Sequence, residues 1–301
     1  MSLLISKFSG HKDCVYALCQ GPGEGDFFSS GADGMVVLWN LNNPEQGKVV
    51  AKVQGSVYAL LYIPEKNRLL IAVNQDGFHL LDVESGKEVW QFPTPDLNTY
   101  RLVKLGANVV ATCSSGVVYQ LDLENQTGKK IKVGKQDIRG ISLNPLNSEI
   151  ALGSSDQHIY WLPFSDPNSG VKSWKAHEST VFALQYYPSG HQLVSAGRDA
   201  KLNLWAEVNP GKFELEKAVP AHLFGIHDVV LHPSKPILAT CSMDKTIKIW
   251  DAETLKLLRV LDKARHAGHG HAVNQLLWLK DQEVLLSCSD DRTISAWNIF
   301  E

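Results

Sequence analysis

Three histidines fall within six positions of one another, His266, His269 and His271 in the stretch RHAGHGHAV at 265–273. Imidazole nitrogens bind zinc, copper and nickel, and short histidine-rich tracts are candidate metal sites. Such a site needs three or four converging ligands, so the reading depends on the elements that carry the histidines. The other chemistry-bearing residues offer less. The five cysteines, Cys14, Cys19, Cys113, Cys241 and Cys288, form no C-x-x-C pair and sit mostly in apolar runs, as reduced, buried small hydrophobes do. None of G-x-S-x-G, H-E-x-x-H or G-x-x-x-x-G-K-[ST] occurs. The expectation is a protein with no catalytic residues, no cofactor and no metal. GPGEG (21–25) lacks the Lys-Ser/Thr of a phosphate loop and reads as a turn. The lysines of GKKIKVGK (128–135) alternate as on the exposed edge of a strand, where they discourage sheet-to-sheet pairing.

The elements behind these residues repeat. SSGADGMVVLWN (29–40), AVNQDGFHLLD (72–82), TCSSGVVYQLD (112–122), LGSSDQHIYWLP (152–163), SAGRDAKLNLWA (195–206), TCSMDKTIKIWD (240–251) and SCSDDRTISAWN (287–298) align on their turns. Trp39, Leu81, Leu121, Leu162, Trp205, Trp250 and Trp297 share one column, at intervals of 40 to 47 residues. That period suits a four-stranded propeller blade. β-Branched and aromatic residues alternate between DG, SG and DK turns, which predicts strands, and no segment reads as a helix.

On these residues the chain resembles the WD-repeat β-propeller family over essentially its whole length. The resemblance implies an all-β fold: a single seven-bladed propeller of four-stranded antiparallel blades, one domain over 1–301. The N-terminal strand, 2–8, is expected to complete the last blade and remove its open edge. The resemblance also implies four hydrogen-bonded tetrads: His11, Ser29, Asp33, Trp39; His177, Ser195, Asp199, Trp205; His222, Thr240, Asp244, Trp250; and His269, Ser287, Asp291, Trp297. An indole only donates, a carboxylate only accepts, and a hydroxyl and a neutral imidazole do both, so the four groups can chain with none left unpaired. His269 is thereby occupied, and His266 and His271 fall near the rim, in the insertion DKARHAG (262–268) that enters blade seven. Units two, three and four lack the GH and the Trp and rely on apolar packing.

Members of this family resemble one another in gripping peptides and loops with the face that carries the GH and Asp turns. Positions just past the GH are read as Tyr16, Tyr58, Arg101, Arg139, Phe182, His227 and Asn274. Those just before the turn aspartate are Ala32, Gln75, Ser155, Arg198, Met243 and Asp290. Aromatic and arginine side chains dominate protein interfaces. The expected partner-binding residues are therefore Tyr16, Tyr58, Arg101, Arg139, Phe182, Arg198, His227 and Asp290. The expected partner is another protein, through a peptide or loop with acidic or phosphorylated and aromatic residues, because arginine forks match carboxylate and phosphate. A reader of methyl-lysine or phosphorylated peptides, and a subunit of a nucleic-acid-associated complex, are the alternatives.

A hydrophobic fraction of 44%, a charged fraction of 20% and a net charge of −3 fit a globular chain and argue against direct nucleic-acid binding. No signal-peptide core or membrane-length apolar run is present. The expectation is a soluble, intracellular protein, cytoplasmic or nuclear in a eukaryote, with no membrane partner. It is expected to act as a monomer or as a subunit of a hetero-complex, through the ring's own surfaces.

Overall fold

Alternating apolar side chains bounded by glycine-rich turns fold here into strands, because each pleated segment buries one face, or both, against a neighbouring sheet. The computed structural model describes residues 3–164, 170–279 and 282–300. They form seven four-stranded antiparallel sheets, each built from strands consecutive in sequence except the last. The first strands of the blades, Val15–Gln20, Val57–Ile63, Thr99–Leu105, Ile138–Leu143, Val181–Tyr186, Ile226–Leu231 and Val273–Leu279, touch one another in succession and close from the seventh to the first. They therefore line the centre of a seven-bladed propeller.

Closure uses the N-terminus. Leu4–Ser9 is the outermost strand of blade seven and pairs antiparallel with Thr293–Asn298, placing Phe8 opposite Ile294. Ser2, the first residue of the expected strand, lies outside the described residues. Phe8, Val15, Phe27, Trp39, Val284 and Leu286 then pack into one cluster that cements blade seven to blade one.

The column of the repeat is a register in space. Trp39, Leu81, Leu121, Leu162, Trp205, Trp250 and Trp297 stand opposite Phe27, Leu69, Val109, Ile150, Leu193, Leu238 and Leu285 on the second strands of their blades. All seven are buried.

Among the described residues two short helical turns interrupt the strands, against the expectation of none. One is a 3-10 turn at Pro64–Lys66. The other, Lys263–His266, lies in the insertion before blade seven, where the Asp262 carboxylate accepts the Arg265 N–H and caps a single turn. No helix among the described residues is long and apolar enough to cross a membrane.

One irregularity recurs in all seven blades. Where the first strand pairs with the second, the register slips by one residue near its start, leaving Tyr16, Tyr58, Tyr100, Arg139, Phe182, His227 and Asn274 unpaired. A bulge of this kind turns its side chain out of the pleat.

Candidate functional site

The bulged residues meet at the mouth of the ring around a cavity of about 290 Å3, joined there by Arg101 and Asp290. One side is an aromatic arc. Tyr16 and Tyr58 stack with ring centroids 4.4 Å apart and planes 12° from parallel. Tyr58 meets the edge of Tyr100 at 6.4 Å, and the Arg139 guanidinium lies 4.1 Å from the centre of the Tyr100 ring. Asp137 ties this end down, accepting the Tyr100 hydroxyl at 2.8 Å and lying 3.4 Å from Arg139 Nη2.

The opposite side is mixed. Phe182 stands perpendicular to His227 at 5.6 Å, and His227 Nδ1 donates to the Val273 carbonyl at 3.1 Å. Asn274 Nδ2 donates to Asp290 Oδ1 at 2.8 Å and to the Val15 carbonyl at 2.9 Å. Burial pushes the Tyr100 hydroxyl up to about 12 and that of Tyr16 higher still, while it lowers the His227 imidazole. At neutral pH the rings of Tyr16, Tyr100 and His227 are therefore uncharged.

In blade three the sequence count lands one residue late. Thr99 pairs with Cys113 as Val15 pairs with Gly31 in blade one, so the bulged residue is Tyr100 and not Arg101. Blades two and four also lack the GH, yet their bulged residues Tyr58 and Arg139 stand where the sequence count puts them. Aligning VYALCQ (15–20), VYALLY (57–62) and TYRLVK (99–104) would have found Tyr100. Arg101 itself crosses the ring: Nη2 lies 3.1 Å from Asp228 Oδ1 and donates to the His227 carbonyl at 3.2 Å. Nη2 is thus engaged inside the protein. Burial pushes the Asp228 carboxyl above its usual range, against the pull of Arg101 and the Leu276 N–H.

Of the residues before the turn aspartates, only Asp290 lines the mouth. Arg198 is exposed on the rim, where its Cα lies 3.2 Å from the position a Cβ on Gly225 would take.

The four tetrad histidines, preceded by Gly10, Ala176, Ala221 and Gly268, sit inside the blades. In blade one Trp39 Nε1 donates to Ser29 Oγ at 2.8 Å, Ser29 meets His11 Nε2 at 2.7 Å, and His11 Nδ1 lies 3.0 Å from Asp33. The serine oxygen accepts the indole N–H, and the carboxylate accepts Nδ1–H. The other three sets repeat the geometry: Trp205, Ser195, His177 and Asp199; Trp250, Thr240, His222 and Asp244; Trp297, Ser287, His269 and Asp291. Both nitrogens of His269 are engaged in this way. Among the described residues no group of three or more His, Cys, Asp and Glu side chains converges as metal ligands do.

A family model described as "WD domain, G-beta repeat" matches residues 2–40, 168–206, 213–251 and 257–298, which contain the four tetrads. The chain is similar to the nuclear distribution protein PAC1 of Candida albicans, 33% identical over 162 residues, 53% of this chain and 31% of that protein. It is similar to a striatin homolog of Dictyostelium discoideum, 26% identical over 249 residues, 80% of this chain and 26% of that protein. The anaphase-promoting complex subunit cdc20 of Dictyostelium discoideum is 27% identical over 198 residues, 50% of this chain and 39% of that protein. The matches thus span between about a quarter and two fifths of these relatives' length.

Proposed function

The chain belongs to the WD-domain, G-beta repeat family, and from that premise we propose that it is a non-catalytic scaffold, one propeller domain over 1–301, whose ring mouth receives a peptide or loop of a protein partner. The observation that carries this reading is the convergence of seven bulged side chains from seven blades on one cavity, with four aromatic rings among them. Rigid aromatic side chains supply contact area at low entropic cost, and interfaces concentrate their binding energy on them. The partner segment inserts an aromatic or planar group against the Tyr16–Tyr58–Tyr100 arc and sets a carboxylate or phosphate on the exposed flank of Arg139. Asn274 and Asp290 offer polar contacts on the far side. The relatives support this reading: cdc20 of Dictyostelium discoideum is a subunit of the anaphase-promoting complex.

A methyl-lysine cage fits less well, because Tyr16 and Tyr58 cover each other's faces in a parallel stack instead of surrounding a cation. A nucleic-acid surface also fits less well, since both arginines that line the mouth already face carboxylates, Arg101 that of Asp228 and Arg139 that of Asp137.

The test is affinity purification from the native cell, comparing the wild-type chain with a folded Tyr58→Ala/Arg139→Glu variant. Loss of a small, defined set of proteins from the variant is the expected result. Recovery of the same set by both would move the function to the blades' sides or the opposite face.

A further inference from the structure

The most exposed large apolar side chain among the described residues is Leu223, at 84%, and its neighbour Phe224 is 61% exposed. They occupy the turn that follows His222 into blade six. The matching turns of the other tetrad blades carry Lys12-Asp13, Glu178-Ser179 and Gly270-His271, all polar or small. Met243, 46% exposed, joins them from the turn before Asp244.

The loop holding these side chains outward is rigid. Leu223 N–H donates to Asp244 at 3.0 Å, the Phe224 carbonyl accepts Ser242 Oγ at 3.0 Å, and Met243 N–H donates to the Gly225 carbonyl at 3.0 Å. Gly225 packs this loop against Arg198 of blade five, where a Cβ would lie 3.2 Å from the Arg198 Cα. An apolar cluster fixed in water by its own hydrogen bonds gains nothing for folding and marks an interaction site.

The charges around it have one sign to offer. Arg198 and Lys245 flank the cluster, are exposed, and have no ion pair among the described residues. The neighbouring carboxylates, Asp199 and Asp244, are turned inward to His177 and His222. We infer that Leu223, Phe224 and Met243 form a rim docking site for a protein segment that presents adjacent large apolar side chains flanked by carboxylates. The apolar groups seat on the three side chains, and the carboxylates meet Arg198 and Lys245. Phe224 precedes His227 by three residues, and His227 lines the mouth beside Phe182. A segment lying on the rim therefore continues into the mouth, so the inference extends the reading above and rests on it only for that continuation.

The experiment pans a random-peptide display library on the full chain and measures recovered peptides, synthesised individually, against variants. The expected peptides carry two large apolar residues close together with two or more Asp or Glu. Their affinity should fall about tenfold or more on Leu223→Ser/Phe224→Ser and on Arg198→Glu/Lys245→Glu. Both pairs are exposed, and an unchanged thermal midpoint verifies folding. Peptides that bind Leu223→Ser/Phe224→Ser equally well overturn the inference; if they are lost on Tyr58→Ala, the mouth still stands alone as the binding site. Recovery of only basic peptides, or no enrichment over the Leu223→Ser/Phe224→Ser chain, overturns it too. So does binding of the wild type, but not of that variant, to phosphatidylcholine–phosphatidylserine vesicles in place of peptides, which would assign the loop to a membrane surface.

Discussion

Arg101 of blade three and Asp228 of blade six meet across the centre of the ring, Nη2 to Oδ1 at 3.1 Å, and Asp228 is buried. The pair links blades that share no sheet and lie on opposite sides of the mouth. Removing one partner of such a pair leaves a desolvated charge, which costs far more than the pair contributes as a whole. Arg101→Ala should lower stability by about 3 kcal/mol or more, whereas Arg101→Met/Asp228→Leu should stay near the wild type. Urea unfolding at neutral pH measures both. Equal losses in the two variants would mean that the pair contributes attraction and not only compensated burial.

The tetrads should make the ring unevenly stable. Trp297 is fully buried and donates to Ser287, so Trp297→Phe loses that hydrogen bond and should cost about 1–3 kcal/mol. Blades two to four have apolar packing in place of the tetrad, as at Leu121 and Leu162. Hydrogen exchange followed by mass spectrometry should show Val110 and Leu152 exchanging before Ser195 and Thr240. Uniform protection around the ring would contradict this.

Acid should unfold the protein in two stages. Burial lowers His222 from its usual 6.5, so the unfolded chain takes up the proton first and stability falls as the pH drops below that value. Burial alone would raise the carboxyls of Asp244 and Asp291, but the hydrogen bonds they accept from His222 and His269 outweigh it and hold them well below the usual 3.8. Their stabilisation is complete above the ordinary carboxylate range and is lost as the pH falls through the lowered values. Asp228, raised by burial, works in the opposite sense. The thermal midpoint should be flat from about pH 7 to 8, decline below about 6.5 and drop steeply below about 4. A midpoint flat down to pH 5 would show that His222 takes up its proton as readily in the folded blade as in the unfolded chain.

Two glycines separate backbone strain from crowding. Gly116 has φ +68° and a Cβ there would lie 2.0 Å from the Gly134 carbonyl oxygen, whereas Gly106, at φ +60°, has nothing within 4 Å. Gly106→Ala should cost about 1 kcal/mol from the left-handed conformation alone. Gly116→Ala should cost at least about 2 kcal/mol more, since the strand-connecting turn must open. Thermal unfolding of the two variants side by side measures the difference.

The architecture was legible in the linear chain because its determinants are local and periodic. A strand needs a period of two, a turn needs glycine or aspartate, and the tetrad needs one donor-only, one acceptor-only and two amphoteric groups at constant spacing. Trp39 through Trp297 therefore fell into register before any coordinates were known. The occupied state of His269 followed from the same spacing, although the helical turn at Lys263–His266 did not. The contents of the mouth were decided only in three dimensions. That the bulged residue of blade three is Tyr100 and not Arg101 depends on where Thr99 pairs, which only the sheet register decides. Arg101 binds a carboxylate 127 positions away, a distance at which no repeat records the pairing. Nothing in the sequence sets Leu223 and Phe224 apart; the hydrogen bonds of their loop to Asp244 and Ser242 hold both side chains facing water.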